Sequence, residues 1–208
     1  MDINKLIEIL KENYPNARYE LDWETPLQLL IGTILAAQCT DVRVNKVTKT
    51  LFPKYPNAQA FADANMEELE EILKPTGFYK KKAKQVQDVC KALLENFGGE
   101  VPRTMAELVT LPGVARKSAN VVLNNAFQIP SGIIVDTHVH RISPRMGLTK
   151  EGSPETIEKA LMKMVPQNEW VQFGPAMVLH GRYVCTARKP DCASCVLKDM
   201  CPKIGVEN

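Results

Sequence analysis

Apolar residues near the start of the chain recur at Ile3, Leu6, Ile7 and Leu10, the three-and-four spacing of one helix face, and predict an opening amphipathic helix. Thr25–Pro26 reads as an N-cap followed by proline at the first helical position, ahead of an apolar helix over residues 27–37. Asp41 starts another helix, which the proline at 53 is expected to stop. Asn65 with Glu68, and Thr104 with Glu107, have capping-box spacing, in which each side chain satisfies a backbone N–H at the helix start. Ser153–Pro154 is a third start signal, and a long helix from about Tyr79 should end at Gly98–Gly99. The only β-like run, Ile133–Val135, is too short to found a sheet. The pattern predicts an all-α fold without internal repeats or a low-complexity linker.

With 208 residues and 45% hydrophobic content, the chain can bury one substantial core or two small ones. No stretch approaches the roughly 20 apolar residues of a membrane span. The opening MDINKLIEIL carries Asp2 and no apolar run of signal-peptide length, so a cytoplasmic protein without a membrane partner is expected. A net charge of +2 neither announces nor excludes a nucleic-acid partner. Its distribution is more informative, because the acidic stretch Asp63, Glu67, Glu68, Glu70, Glu71 is followed by Lys74, Lys80, Lys81, Lys82, Lys84 and Lys91. Those lysines read either as a basic face or as an ordinary solvated helix side.

The stretch Leu111-Pro112-Gly113-Val114-Ala115-Arg116-Lys117 reads as a tight hairpin between a short capped helix and an apolar helix over residues 121–127. Gly113 can take a positive φ, and the following helix start carries partial positive charge, which together suit a phosphate. An ordinary inter-helix turn has the same local signature. Lys117, beside Arg116 and near that positive helix end, has two neighbours that disfavour its protonated form, and a free amine can form a Schiff base with a carbonyl carbon. A second phosphate contact is the competing reading. Asp136 follows Ile133–Val135 and suits either a helix N-cap or a carboxylate that stabilises positive charge on a sugar. His138 and His140, two apart, point to different helix faces and make a poor chelating pair.

Cys185, Cys192, Cys195 and Cys201 have the spacing C-x6-C-x2-C-x5-C. Four thiolates so close together are a metal signal, and spacing alone favours neither zinc nor an iron–sulfur cluster, with a disulfide pair as the remaining alternative. Cys39 and Cys90, in apolar helical contexts, are expected to be buried small residues.

Leu-Pro-Gly-Val-x-Arg-Lys-x-Ala-Asn-Val-Val from Leu111, followed by Val-Asp-Thr-His-Val-x-Arg from Val135, resembles the helix-hairpin-helix glycosylase superfamily in its endonuclease III branch. Leu29–Asp41, Gly77–Tyr79 with Lys82-Ala83, Gly99–Pro102 and His180–Cys185 extend the likeness over nearly the whole chain. The resemblance implies two helical lobes with a DNA cleft between them, here residues 23–130 and a discontinuous lobe of residues 1–22 with 131–208. It implies base-excision repair of double-stranded DNA containing damaged pyrimidines or abasic sites, by a monomer. The oxidised base would be removed through a lysine Schiff base and the abasic strand cut by β-elimination. By the same resemblance Lys117 is the nucleophile, Asp136 the catalytic carboxylate, Gln38 the residue that fills the gap left by the extruded nucleotide, and Cys185, Cys192, Cys195 and Cys201 the ligands of a [4Fe–4S] cluster. Gly113, Arg116, Arg188 and Lys189 would then lie along the DNA backbone.

Two positions depart from the family pattern. Ala115 stands where glycine is usual and adds a Cβ to the hairpin, and Phe78 replaces the usual leucine of a Gly-Leu-Tyr wedge. An adenine-removing relative would lack lysine at position 117. A non-catalytic DNA-binding or redox-sensing module would need neither Lys117 nor Asp136.

Overall fold

The computed structural model describes residues 1–150 and 152–206, and among these the chain forms eleven α-helices, two short 3-10 turns and no strand. In chain order the helices are α1 (Ile3–Asn13), α2 (Pro26–Leu35), α3 (Asp41–Lys54), α4 (Ala58–Ala62), α5 (Met66–Leu73), α6 (Tyr79–Phe97), α7 (Met105–Leu108), α8 (Arg116–Ala126), α9 (Thr137–Arg145), α10 (Pro154–Met164) and α11 (Trp170–Tyr183). They fall into two compact units, Glu20–Phe127 and the discontinuous Met1–Tyr19 with Gln128–Asn208. No helix of the described residues is long and apolar enough to cross a membrane.

In the unit Glu20–Phe127, α6 packs against α4, α5 and α2, and α2 against α3 and α8. Val86, Val89, Cys90 and Leu93 of α6, Leu29, Leu30 and Leu35 of α2, and Val122 of α8 are all fully buried. Each such Leu or Val contributes roughly 1.5–3 kcal/mol. Thr25 caps α2 by accepting from the Gln28 N–H at 3.3 Å. Gly98, at φ +61°, ends α6 in a left-handed turn, and the Gly99 N–H returns to the Leu93 carbonyl at 2.9 Å.

Several local expectations are corrected. Helix α2 stops at Leu35, two residues short of the expected end, whereas α3 runs from Asp41 and stops near Pro53 as expected, its last residue being Lys54. Asn65 accepts from the Glu68 N–H at 3.1 Å, but the Glu68 carboxylate pairs with Lys54 and the Tyr55 hydroxyl instead of returning to the helix start. At Thr104 the Glu107 carboxylate likewise accepts from the threonine hydroxyl, at 2.6 Å. Each capping box is therefore half built.

In the other unit α11 packs against α1 and α9 around Leu6, Leu10, Ile133, Val139, Ile142, Ile157, Leu161 and Met177. Ile133–Val135 is buried without joining a strand. At Gly181 an added Cβ would lie 2.9 Å from the His138 Cβ, so glycine there lets α11 approach the first turn of α9.

Candidate functional site

The hairpin is built by helices on either side of a left-handed glycine. Leu108, Leu111 and Val114 are buried and anchor it, the Val114 N–H closes the turn on Leu111 O at 3.1 Å, and Gly113 sits at φ +69°. The Gln85 side-chain amide donates to the Gly113 carbonyl at 3.0 Å, tying the hairpin to α6. Ala115 is the N-cap of α8 at φ −81°, an extended conformation that needs no glycine, so its departure from the family pattern introduces no backbone strain. Its methyl supplies no capping oxygen. Helix α8 begins at Arg116, five residues earlier than the apolar pattern suggested, so Lys117 lies in its first turn with Gly113, Ala115 and Arg116, all exposed. An exposed amine at a positively polarised helix start, next to a glycine hairpin, can meet a phosphodiester and attack a sugar carbon.

Gln38 and Phe78 belong to the same unit, and each is an exposed non-glycine residue in the left-handed region, at φ +54° and +48°. Gln38 lies beyond the end of α2 rather than on that helix. Phe78 is 66% exposed, an apolar ring held in solvent just after Gly77. Cys90 is buried, and burial pushes its thiol up to about 12; Cys39, expected to be buried, is only half so. Lys82 departs furthest from the reading of its stretch as a solvated side, since it is 3% exposed.

Asp136, in the other unit, is the N-cap of α9, with Oδ1 accepting from the His138 and Val139 N–H groups at 2.8 and 2.9 Å. His138 and His140 do not meet. The His138 Nδ1 lies 3.3 Å from the Arg141 guanidinium and the His140 Nε2 2.9 Å from Gly152 O. Further along α9, Arg141 donates to the carbonyls of Gly181 and Cys185 at 2.6 and 3.0 Å, and Arg145 to those of Thr186 and Ala187 at 2.8 and 3.0 Å. One helix thus carries Asp136 at its start and grips the cysteine loop with Arg141, the last residue of the Val-Asp-Thr-His-Val-x-Arg motif, and with Arg145, to which the sequence assigned no role.

Cys185, Cys192, Cys195 and Cys201 line one open cavity, together with Arg145, His180 and Leu197. Among the described residues no three His, Cys, Asp or Glu side chains close tightly enough to hold a single metal ion. A zinc site would draw its sulfurs to about 2.3 Å from one point, whereas a cluster takes one thiolate per iron, and four cysteines around one cavity fit that donor set. Burial, and then the neighbouring thiolates, push the Cys195 and Cys201 thiols up. The Leu197 N–H and the Arg145 guanidinium point at Cys195 Sγ and Cys185 Sγ, at 3.4 and 3.8 Å, as donors to metal-bound sulfur do. His180 is buried, its imidazole pushed down to about 4 by desolvation, with Nδ1 3.0 Å from the Tyr14 hydroxyl and Nε2 3.7 Å from Cys195 Sγ. A thiolate at that sulfur selects the tautomer with hydrogen on Nε2, leaving Nδ1 to accept from Tyr14. Arg188 and Lys189 are exposed on the loop between the first two cysteines.

Residues 31–167 match the model of the HhH-GPD superfamily of base excision DNA repair proteins, and residues 185–201 match the iron-sulfur binding domain of endonuclease III. The chain belongs to the endonuclease III family. An endonuclease III of Synechocystis sp. is 54% identical over 95% of this chain and 90% of its own length. A solved non-covalent endonuclease III–DNA complex superposes with a TM-score of 0.92 at 43% identity, covering 97% of this chain and 94% of that one. A trapped endonuclease III–DNA covalent intermediate gives the same TM-score, identity and coverage. As a member of the endonuclease III family the chain is a bifunctional DNA glycosylase and abasic-site lyase of base-excision repair and carries a [4Fe–4S] cluster, whose binding domain matches residues 185–201.

Proposed function

We propose that this enzyme excises oxidised pyrimidines from duplex DNA through Lys117 and cuts the resulting abasic strand, acting as a monomer in the cytoplasm. The observation that carries the reading is the exposed Lys117 amine in the first turn of α8, behind the positive-φ Gly113 hairpin. Gly113, Ala115 and Arg116 grip the phosphate backbone, Arg188 and Lys189 add phosphate contacts, Phe78 wedges into the stack and Gln38 fills the gap left by the flipped nucleotide. The neutral Lys117 amine attacks C1′, the glycosidic bond breaks, and the base departs with the bonding electrons and then takes a proton. Loss of the amine's proton and opening of the sugar ring leave a protonated Schiff base at C1′. Removal of a proton from C2′ then expels the 3′ phosphate, and water releases Lys117. The Asp136 carboxylate stabilises the positive charge that develops on the sugar. Cys185, Cys192, Cys195 and Cys201 would hold the cluster, which when bound would crosslink the loop that carries Arg188 and Lys189.

Duplexes each bearing one thymine glycol, one dihydrouracil or one abasic site test this reading. Free base and a nicked strand are expected from the first two and a nick from the third. Cleavage of the abasic duplex alone would remove oxidised pyrimidines from the substrate range.

A further inference from the structure

Lys82 is 3% exposed and carries a charge into the interior, where among the described residues no Asp or Glu forms an ion pair with it. Its ammonium donates to two backbone carbonyls, Leu35 O and Thr76 O, each at 2.8 Å. Burying an ammonium costs several kcal/mol, and a methionine of similar length would fill the space without that cost, so the charge has to do something that packing alone does not. The two carbonyls indicate what. Leu35 is the last residue of α2, and Gln38 follows three positions later. Thr76 is the last residue of the 3-10 turn Lys74–Thr76, and Phe78 follows two positions later. Both carbonyls belong to the set that a helix end leaves unsatisfied and negatively polarised, where a cation binds well. The Lys82 backbone N–H also donates to Phe78 O at 3.1 Å, so one residue holds Phe78 from both directions.

Gln38 and Phe78 need such restraint. A non-glycine residue in the left-handed region costs about 1–2 kcal/mol and keeps that conformation only where its surroundings over-determine it. Neither tip is buried, so packing of its own side chain does not supply the restraint. We infer that Lys82 is a positioning residue for lesion recognition: by clamping Leu35 O and Thr76 O together, it sets the poise of Gln38 and Phe78 relative to each other before DNA arrives. The inference rests on the proposed roles of those two residues in the duplex.

Lys82→Met, Phe78→Ala, Gln38→Ala and the Lys82→Met/Phe78→Ala pair test it in the cluster-loaded enzyme. The readouts are single-turnover release of thymine glycol and strand cleavage at a ready-made abasic site. Lys82→Met should slow base release by roughly 10–100-fold, the scale of an ångström-level misplacement, and leave abasic cleavage nearly unchanged. In the Phe78→Ala background it should add little, because the two residues act as one unit. Lys82→Gln, which keeps a donor for one carbonyl, should fall between wild type and Lys82→Met. If Phe78→Ala slows base release and a folded Lys82→Met does not, the inference is wrong while the reading of the tips stands. If neither Phe78→Ala nor Gln38→Ala changes base release, the reading of the tips fails first. Full multiplication of the two effects, equal loss on both substrates, or failure of both Lys82 variants to fold would make Lys82 an ordinary stabilising residue and overturn the inference.

Discussion

Asp136→Asn separates two roles that one carboxylate holds. Oδ1 accepts from the His138 and Val139 N–H groups, and the asparagine carbonyl oxygen can take the same place and keep both bonds. Asparagine and aspartate are about equal as N-caps, so the loss is confined to the attraction between a full negative charge and the helix start, roughly 0.3–1 kcal/mol. In a chain of this size that lowers Tm by no more than about 2–4 °C. Removing a carboxylate aimed at developing positive charge costs about 10²–10³ in rate, or roughly 2.7–4 kcal/mol in the barrier. Thermal unfolding and single-turnover release of thymine glycol, measured on one preparation, should therefore diverge: nearly native stability, steeply reduced excision. Asp136→Ala loses the cap as well and should fall a further 1 kcal/mol or so in stability. The reasoning fails if Asp136→Asn excises at close to the native rate, which would leave Asp136 a cap and nothing more.

Gly113→Ala should weaken DNA binding about tenfold by fluorescence anisotropy, because alanine at φ +69° is strained by about 1 kcal/mol and its Cβ would stand 2.4 Å from Gln85 Nε2; Ala115→Gly, at an ordinary φ, should change little. Cys192→Ser should bleach the visible absorbance of the cluster and remove amide-exchange protection from residues 185–201, since metal-binding free energy is also folding free energy. The Asp191 carboxyl is held below its usual 3.8 by the Ser194 hydroxyl and then by the Ser194 N–H. Those bonds contribute above the unfolded value and are lost as pH falls through the lower folded one, so protection of the Ser194 amide should persist through 3.8 and vanish only in stronger acid.

What the sequence made legible was local. Thr25, Asn65, Thr104 and Ser153 announce helix starts because a cap depends on residues two or three positions away, and the structure has all four accepting from a helix N–H. Gly98–Gly99 ends α6 for the same kind of reason. The C-x6-C-x2-C-x5-C spacing marked a metal loop without naming its metal, which the family match then supplied. What stayed hidden depends on distant partners. Glu68 completes no capping box because Lys54 and Tyr55, from the end of α3, claim its carboxylate. Lys82 looks like its exposed neighbours in a lysine run because nothing near it in sequence reveals the Leu35 carbonyl. The left-handed turn at Gln38 has no local signal, because it falls on a non-glycine residue just after an apolar helical run. Arg141 closes the Val-Asp-Thr-His-Val-x-Arg motif but its role, like that of Arg145, stayed hidden, since their acceptors lie about forty residues further along the chain.

The central claim is that Lys117 supplies the amine, and borohydride trapping on abasic duplex tests it most directly. Wild-type enzyme should yield a reduced covalent protein–DNA adduct, with the modification on Lys117 in the digested peptide. Lys117→Gln should yield none while binding the same duplex within about tenfold of wild type, because one phosphate-range charge among several is worth roughly 1 kcal/mol. A trapped adduct from Lys117→Gln would assign the nucleophile to another amine and contradict the account.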